Sequence, residues 1–226
     1  MAAKKPQHRD RKGAVSAAKK APARPKTPPA SAEPESVRAF VALDLDTLSL
    51  RRVARLADRL RMSSGAPSAT WVPPNKMHVT LKFMADMPLT LVPRLTKALA
   101  AMVEGHDAPK ACALRLTGFP SKEEAEVVVV ELTDDSGQLG KLAARVEKLA
   151  TELGLPREKR AYRPHVTLAR LRMAFDGRRW LRDELAEIAG DCRAGGLTLY
   201  KSILGEEGST YVPLARFAYS TSTQTS

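Results

Sequence analysis

The chain has few of the residues on which several classes of small protein depend. Its 226 residues include two cysteines, Cys112 and Cys192, and neither belongs to a Cys-x-x-Cys pair or to a Cys/His cluster with metal-ligand spacing. A disulfide framework and a cysteine-based metal site are therefore excluded, and we expect two buried thiols in a reducing cytosol. Aromatic residues make up 5% of the chain, too few for an extended stacking platform for single-stranded nucleic acid.

Long hydrophobic runs are also missing. The apolar stretches, of which residues 127–130 are an example, all fall far short of the roughly 18 residues that a membrane-spanning helix requires. No apolar segment follows the basic N-terminus, as a secretory signal would need. We therefore expect a cytoplasmic protein with no membrane partner. The 43% of apolar residues suffice for one ordinary domain or two small lobes.

Half of the net charge of +12 lies in the N-terminal segment. Residues 1–35 hold nine Lys and Arg residues against three acidic residues, together with six of the 16 prolines. This segment lacks the apolar residues of a core, so we expect a disordered basic tail, followed by a folded domain at 36–226. Non-specific contact with RNA phosphates and a solubilising role both remain open for the tail. Its prolines disfavour a helical transit peptide.

The body of the chain repeats one order of elements, which indicates an internal duplication. Strand, helix, strand, helix, strand is predicted over 37–117 and again over 126–204, with one further strand at 211–219. We therefore expect an α+β fold of two lobes, each an antiparallel-rich sheet with helices on its outer face, related by a pseudo-two-fold axis through a central groove.

Four sets of apolar residues have helical spacing: Leu48, Val53, Leu56 and Leu60; Leu95, Leu99, Met102 and Val103; Leu139, Leu142, Val146, Leu149 and Leu153; and Trp180, Leu181, Leu185 and Ile188. Asp46 or Thr47, Thr90 and Asp176 are the candidate N-caps of the first, second and fourth helices. Gly154 is expected to end the third helix.

The duplication repeats one string without change. His78-Val79-Thr80-Leu81 and His165-Val166-Thr167-Leu168 lie 87 residues apart, each on a predicted strand. Because residues i and i+2 of a strand share a face, each His points the same way as its Thr, while Val and Leu point into the core. A two-fold axis between the lobes would bring both His-x-Thr pairs to one cleft.

Two imidazoles and two hydroxyls in one cleft suit the hydrolysis of a phosphodiester by in-line attack. With pKa values of about 6.5, one imidazole can be a neutral base while the other is a protonated acid. The hydroxyls can donate to phosphate oxygens, and Arg170 adds positive charge if it lies at or past the end of its strand. No His/Asp/Glu cluster suggests a metal and no serine lies in a nucleophile elbow, so we expect no cofactor.

Other charged and aromatic residues near the motifs have two interpretations. Phe83 follows His78 by five residues, as Arg170 follows His165, so Phe83 is either a core residue or a base-stacking residue. We interpret the charges of Lys82, Arg163 and Arg172, and the rings of His8 and His106, as solvated rather than part of the cleft.

These motifs resemble those of a known family. Paired His-x-Thr motifs are typical of the 2H phosphoesterase superfamily, and the chain is similar to its bacterial and archaeal RNA 2′,3′-cyclic phosphodiesterase branch, also called 2′-5′ RNA ligases. The similarity covers nearly all of 37–219, with further matching segments at 38–43, 71–77, 118–121, 199–205 and 214–217. One departure is visible: the family usually continues the first motif as Phe-Leu-Gly, whereas Phe83 is followed here by Met84 and Ala85.

The resemblance implies a bilobal α+β fold and metal-independent hydrolysis of RNA 2′,3′-cyclic phosphate ends to 2′-phosphates. Carried over by position, His165 is the general base on the attacking water and His78 the general acid to the leaving ribose oxygen. Thr80, Thr167 and Arg170 would hold the phosphate. We expect a monomer that binds such RNA ends.

Two other functions are weighed against this one. A ligase that forms 2′-5′ linkages would run the same chemistry backwards, although equilibrium favours hydrolysis in dilute solution. A non-catalytic protein that binds RNA ends would use the groove for recognition alone. The intact His of both motifs argues against the binder, because holding a phosphate needs Lys or Arg rather than two titrating groups.

Overall fold

The structure, a computed structural model, describes residues 35–205 and 208–219, without the side chains of 183–185. The prediction of a disordered tail at 1–35 falls almost wholly outside the described residues, and so does His8. The first described element begins at Ser36. The tail, its contact with RNA and the monomeric state therefore stay predictions.

Eight strands and three α-helices form the described part of the chain, which confirms the predicted α+β fold. The strands are β1 (Ser36–Leu45), β2 (Ala69–Trp71), β3 (His78–Pro88), β4 (Lys110–Phe119), β5 (Ala125–Thr133), β6 (His165–Phe175), β7 (Asp191–Ile203) and β8 (Thr210–Phe217). The helices are α1 (Thr47–Met62), α2 (Val92–Val103) and α3 (Gln138–Glu152).

All the strand pairings are antiparallel, and they link the two predicted repeats. The strand order is β1-β3-β6-β5-β4-β7-β8, with β2 on β6 and a further pairing of β1 with β7. The last strand of each repeat, β4 or β7, thus pairs with the first strand of the other repeat. Each repeat was expected to build its own sheet; the short connection between β4 and β5 instead favours a hairpin across the repeat boundary.

Most of the predicted helix faces are confirmed. Asp46 caps α1 by accepting a hydrogen bond from the backbone N–H of Ser49 at 2.7 Å, and the predicted face of α2 is buried. Gly154, with φ of 87°, ends α3 in the left-handed conformation that glycine adopts without strain. Two predictions are wrong: Leu48 is 56% exposed, and Thr90 does not cap α2, which begins at Val92 without a side-chain cap.

The fourth predicted helix does not form. Its place is taken by a short 3₁₀ segment, Asp183–Ile188. Asp176 does not cap a helix, because its carboxylate binds the backbone and guanidinium of Arg178. Trp180 and Leu181 are still buried, as expected of core residues, because a compact turn places them there: the Trp180 indole donates to Ser63 Oγ at 2.7 Å.

The two cysteines differ in exposure. Cys192 is buried, whereas Cys112 is exposed, contrary to the prediction. Cys112 lies opposite Asp191 at the start of β7, and its thiol donates to a carboxylate oxygen of that residue at 3.3 Å. Across the described residues, no helix combines the length and the apolar character needed to cross a membrane.

Gly118 in β4 is a position where the fold leaves no room for a side chain. A Cβ there would lie 2.3 Å from the Cβ of Ala125 and 2.8 Å from the carbonyl oxygen of Ser121. We expect Gly118→Ala to lower the free energy of unfolding by about 1–3 kcal/mol, the usual cost of overpacking. Urea denaturation measures this change. Gly140→Ala is the control, because its Cβ meets nothing within 4 Å; equal stability of the two variants would contradict the prediction.

Candidate active site

The two His-x-Thr motifs meet where β3 lies beside β6. Val79 pairs with Val166 in antiparallel register, and both valines are buried. Continued by one residue in each direction, this register sets the His of each motif beside the Thr of the other. The four polar side chains therefore share one face of the two strands, as the alternation predicts.

A β-bulge in each motif decides which way the fifth residue after the His points. Leu81 has no partner where β3 pairs with β1, and Leu168 has none where β6 pairs with β5. Each extra residue reverses the alternation, so Arg170 returns to the face of the histidines from within its strand rather than from its end. Phe83 takes the equivalent position in β3, and the six residues of both motifs have the same pattern of burial.

His78 is held by a backbone carbonyl and by aromatic rings. Its Nδ1 donates to the carbonyl oxygen of Lys76 at 2.8 Å, and its Nε2 lies 3.1 Å from Thr80 Oγ1. The ring stacks on Phe40 at 4.8 Å between centroids. Burial lowers the pKa of His78 below its ordinary value, while the hydrogen bond to Lys76 and the charge of Asp44 raise it.

His165 has a similar backbone contact but a different electrostatic surrounding. Its Nδ1 donates to the carbonyl oxygen of Arg163 at 2.7 Å, and its ring forms a T-shaped contact with Phe119, with 4.9 Å between the ring centroids. Burial lowers the pKa of His165 as well. The hydrogen bond and Glu131 raise this pKa, whereas the positive charges of Arg163 and Arg170 lower it further.

A cavity of about 710 Å³ adjoins the motifs. Five of the six predicted site residues line it: Thr80, Phe83, His165, Thr167 and Arg170. The sixth, His78, does not line the cavity, but its Nε2 lies 3.1 Å from Oγ1 of Thr80, which does. The far walls come from one side of α3 and from the loop at 158–163. Within 35–205 and 208–219, no group of three or more His, Cys, Asp and Glu side chains is arranged to hold a metal ion.

The side chains that we interpreted as solvated have different surroundings in the structure. Lys82 is buried, because the bulge at Leu81 turns it inward, and its ammonium binds Glu147 and the carbonyl oxygen of Pro156 at 2.7 Å. It thereby ties β3 to α3 and to the segment that leads into the loop at 158–163. Arg163 stacks on Phe119 and pairs with Glu131. Arg172 and His106 are exposed, as predicted.

Sequence reasoning missed two carboxylates beside the histidines. Asp44 in β1 lies directly opposite His78, and Glu131 in β5 lies directly opposite His165. The signal was present in the duplication, because each carboxylate precedes its His by the same 34 residues. The strand pairing was needed to recognise this signal, because only the pairing places each carboxylate opposite its histidine.

Fold and site together define a class of protein: antiparallel α+β proteins in which two His-x-Thr motifs on adjacent strands form one site. A sequence model described as the 2′-5′ RNA ligase superfamily matches residues 49–202, which is more than half of the chain. The chain belongs to this superfamily. The resemblance drawn from the motifs is therefore confirmed.

Individual relatives agree with this placement. The RNA 2′,3′-cyclic phosphodiesterase of Aeropyrum pernix is 28% identical over 166 residues, covering 72% of this chain and 92% of the relative. The protein of the same name from Methanothermobacter thermautotrophicus is 28% identical over 190 residues, with coverage of 80% and 98%.

Solved structures with the same fold are also known. TT0787 of Thermus thermophilus superposes with a TM-score of 0.62 at 23% identity, covering 80% of this chain and 97% of that one. E. coli LigT complexed with 3′-AMP gives a TM-score of 0.62 at 19% identity, with coverage of 82% and 99%. At these identities the likeness shows the fold.

The lowered pKa values of the two histidines make stability depend on pH. The unfolded chain takes up these protons at about pH 6.5, before the folded chain does, so stability is complete above that pH and is lost as pH falls through the folded-state values. We expect the free energy of unfolding to decline between about pH 7 and pH 5. The free energy of unfolding of a His78→Gln/His165→Gln variant, measured by urea denaturation, should decline less over this range. An equal decline would contradict the prediction.

Proposed function

We propose that the chain hydrolyses RNA ends that carry a 2′,3′-cyclic phosphate, giving 2′-phosphomonoesters without a metal ion. The observation that carries this proposal is the pairing of the two His-x-Thr motifs, which gathers two imidazoles and two hydroxyls beside one cavity. Relatives named RNA 2′,3′-cyclic phosphodiesterase, at 24% to 29% identity, support the choice of substrate.

His165 acts as the general base in this proposal. Because its Nδ1 proton is engaged by the carbonyl oxygen of Arg163, the neutral ring has its lone pair on Nε2. Burial lowers the pKa of both histidines, so the role of base is given to His165 by the order of the two motifs in the family and not by this shift. Nε2 then removes a proton from a water molecule as the water oxygen attacks the phosphorus in line with the bond to the ribose 3′ oxygen.

His78 acts as the general acid. Its Nδ1 is likewise engaged by a backbone carbonyl, that of Lys76, so the proton available for transfer is on Nε2. As the new P–O bond forms, the bond from phosphorus to the 3′ oxygen breaks, and that oxygen takes the Nε2 proton. The products are a 2′-phosphate and a free 3′-hydroxyl. Proton exchange with solvent restores a protonated His78 and a neutral His165.

Three side chains hold the phosphate. The hydroxyls of Thr80 and Thr167 share the face of the histidines and can donate to the non-bridging oxygens. Arg170 is exposed on the same face and forms no ion pair with any carboxylate that the structure describes. Its guanidinium is therefore available for the negative charge that increases as water attacks.

Phe83 contributes a surface for a nucleobase. Its ring is 40% exposed and lines the cavity. The guanidinium of Arg38 already covers one face, at 4.6 Å from the ring centroid. We therefore expect the base next to the cyclic phosphate to stack on the other face, where base–aromatic contacts contribute about 1–3 kcal/mol.

Removing either imidazole tests the proposed chemistry. We expect His78→Ala and His165→Ala each to lower kcat by at least about a hundredfold, because each loses a positioned acid or base. The substrate is a dinucleotide with a 2′,3′-cyclic phosphate end, and turnover is followed by chromatography of the 2′-phosphate. His106→Ala, at an exposed turn, is the control and should retain activity. Near-normal turnover by either motif variant would refute the assignment.

The same assay decides whether a metal ion takes part. Turnover should be unchanged after dialysis against excess EDTA. Loss of activity that returns on adding a divalent ion would overturn the metal-independent mechanism.

The phosphate contacts predict an order of effects. Arg170→Ala should lower kcat/KM more than Thr80→Ala or Thr167→Ala does, because a charge-assisted hydrogen bond is about twice as strong as a neutral one. Arg94→Ala, on the exposed side of α2, serves as the control for loss of one positive charge. If both threonine variants lost more activity than Arg170→Ala, Arg170 would lie outside the phosphate site.

A further inference from the structure

Each histidine of the site faces one carboxylate on a neighbouring strand. The pairs are Asp44 with His78, in β1 and β3, and Glu131 with His165, in β5 and β6. Directly opposed residues of antiparallel strands share a face and have Cβ atoms about 4.5–5.5 Å apart. The two carboxylates therefore have equivalent positions, and any difference between them comes from what else they contact.

Asp44 is bound by neutral donors. Its Oδ2 accepts a hydrogen bond from Thr198 Oγ1 at 2.6 Å, and its Oδ1 accepts one from the Tyr200 hydroxyl at 2.8 Å. Burial and the contact with Asp44 raise the pKa of Tyr200 to about 12, so its hydroxyl keeps its proton. Hydroxyl donors hold the carboxylate in place without adding a positive charge beside it, and Asp44 acts to raise the pKa of His78.

Glu131 is bound by two cations. The guanidinium of Arg115 contacts one carboxylate oxygen, and Arg163 contacts the other through Nε at 2.7 Å and Nη2 at 2.5 Å. Two guanidinium groups against one carboxylate leave a net positive charge beside His165. Arg170 adds another on the same face. The negative charge of Glu131 at this histidine is therefore opposed by the positive charges of Arg163 and Arg170.

We propose that Asp44 is a positioning residue that makes His78 the more readily protonated of the two histidines, and so the acid, and that the arginine-bound Glu131 leaves His165 as the base. The assignment of roles rests on the proposed function. His78 has the greater need of a counter-charge, because its ring lies against Phe40, Tyr200 and Tyr211, where a lone imidazolium is costly. The charges around the two rings thus give the roles of acid and base to two motifs of identical sequence.

The other titratable groups around the two rings do not reverse the assignment of His78 as acid and His165 as base. The titratable groups about His78 are Asp44 on β1, His165 on β6, Tyr200 on β7, Tyr211 on β8 and Lys76 before β3. Arg216 on β8 acts on Tyr200 but forms no ion pair with Asp44 within the described residues. The Lys76 ammonium is engaged by the carbonyl oxygen of Ser209 at 2.9 Å. Those about His165 are Glu131, Arg115, Arg163 and Arg170. Among these groups, Asp44 is the anion without a cationic partner.

The pH dependence of kcat/KM for the cyclic-phosphate dinucleotide tests the proposal. In Asp44→Asn the high-pH limb, which reports the acid, should move to lower pH by about one unit, because an opposite charge this close raises a pKa by about 1–3 units. The low-pH limb should stay. In Glu131→Gln the low-pH limb should move instead, to lower pH, because Glu131 raises the pKa of His165. Asp58→Asn, exposed on α1, should move neither limb.

A titration that needs no catalysis separates this proposal from the function on which it rests. NMR of ring-labelled histidine, assigned with His78→Ala and His165→Ala, should show His78 titrating above His165 in the unaltered chain. In Asp44→Asn the midpoint of His78 should fall by about one unit. An unchanged midpoint for His78, or the reverse order in the unaltered chain, would overturn the role of Asp44.

The two experiments fail in different ways. Absence of turnover in the unaltered chain would refute the proposed function while leaving the effect of Asp44 on His78 measurable. If circular dichroism showed that Asp44→Asn does not fold, the order of the two midpoints in the unaltered chain would still decide the proposal. A shift of the low-pH limb in Asp44→Asn would make His78 the base and overturn the assignment.

Discussion

One backbone pairing, that of Val79 with Val166, holds the site together. β3 and β6 come from different repeats and pair through this bridge, yet it sets each histidine beside the other motif's threonine. The buried valines fix the faces, because a slip of one residue on either strand would turn its polar pair into the core. The exchange of β4 and β7 between the repeats supports the bridge, since each joins the strands of the opposite repeat.

The paired bulges give each motif a third functional position. A regular strand presents residues at even spacing to one face, so a side chain five residues after a histidine would point into the core. The extra residue at Leu81 or Leu168 changes this, and the same device brings Phe83 to the cavity from one repeat and Arg170 from the other. It also turns Lys82 inward, where its ion pair with Glu147 ties β3 to α3.

Duplication gives two equal motifs, whereas acid–base chemistry needs two unequal imidazoles. Burial lowers the pKa of both rings and so cannot by itself distinguish an acid from a base. The distinction lies one strand further out, in whether the carboxylate opposite each ring meets hydroxyls or guanidinium groups. The residues that touch substrate can thus stay identical while their surroundings diverge.

The sequence by itself determined whatever depends on local periodicity. The α+β class, the buried face of α2 and the common face of each His and Thr follow from spacing along one segment, and the paired motifs were enough to suggest the family. Tertiary structure decided what depends on strand pairing. The direction of Arg170, the burial of Lys82 and the carboxylate opposite each histidine are set by the neighbouring strand, and the chain reaches that neighbour only after folding. The fourth helix failed for the same reason: Trp180 and Leu181 are buried by contacts with distant residues such as Ser63, which periodicity cannot detect.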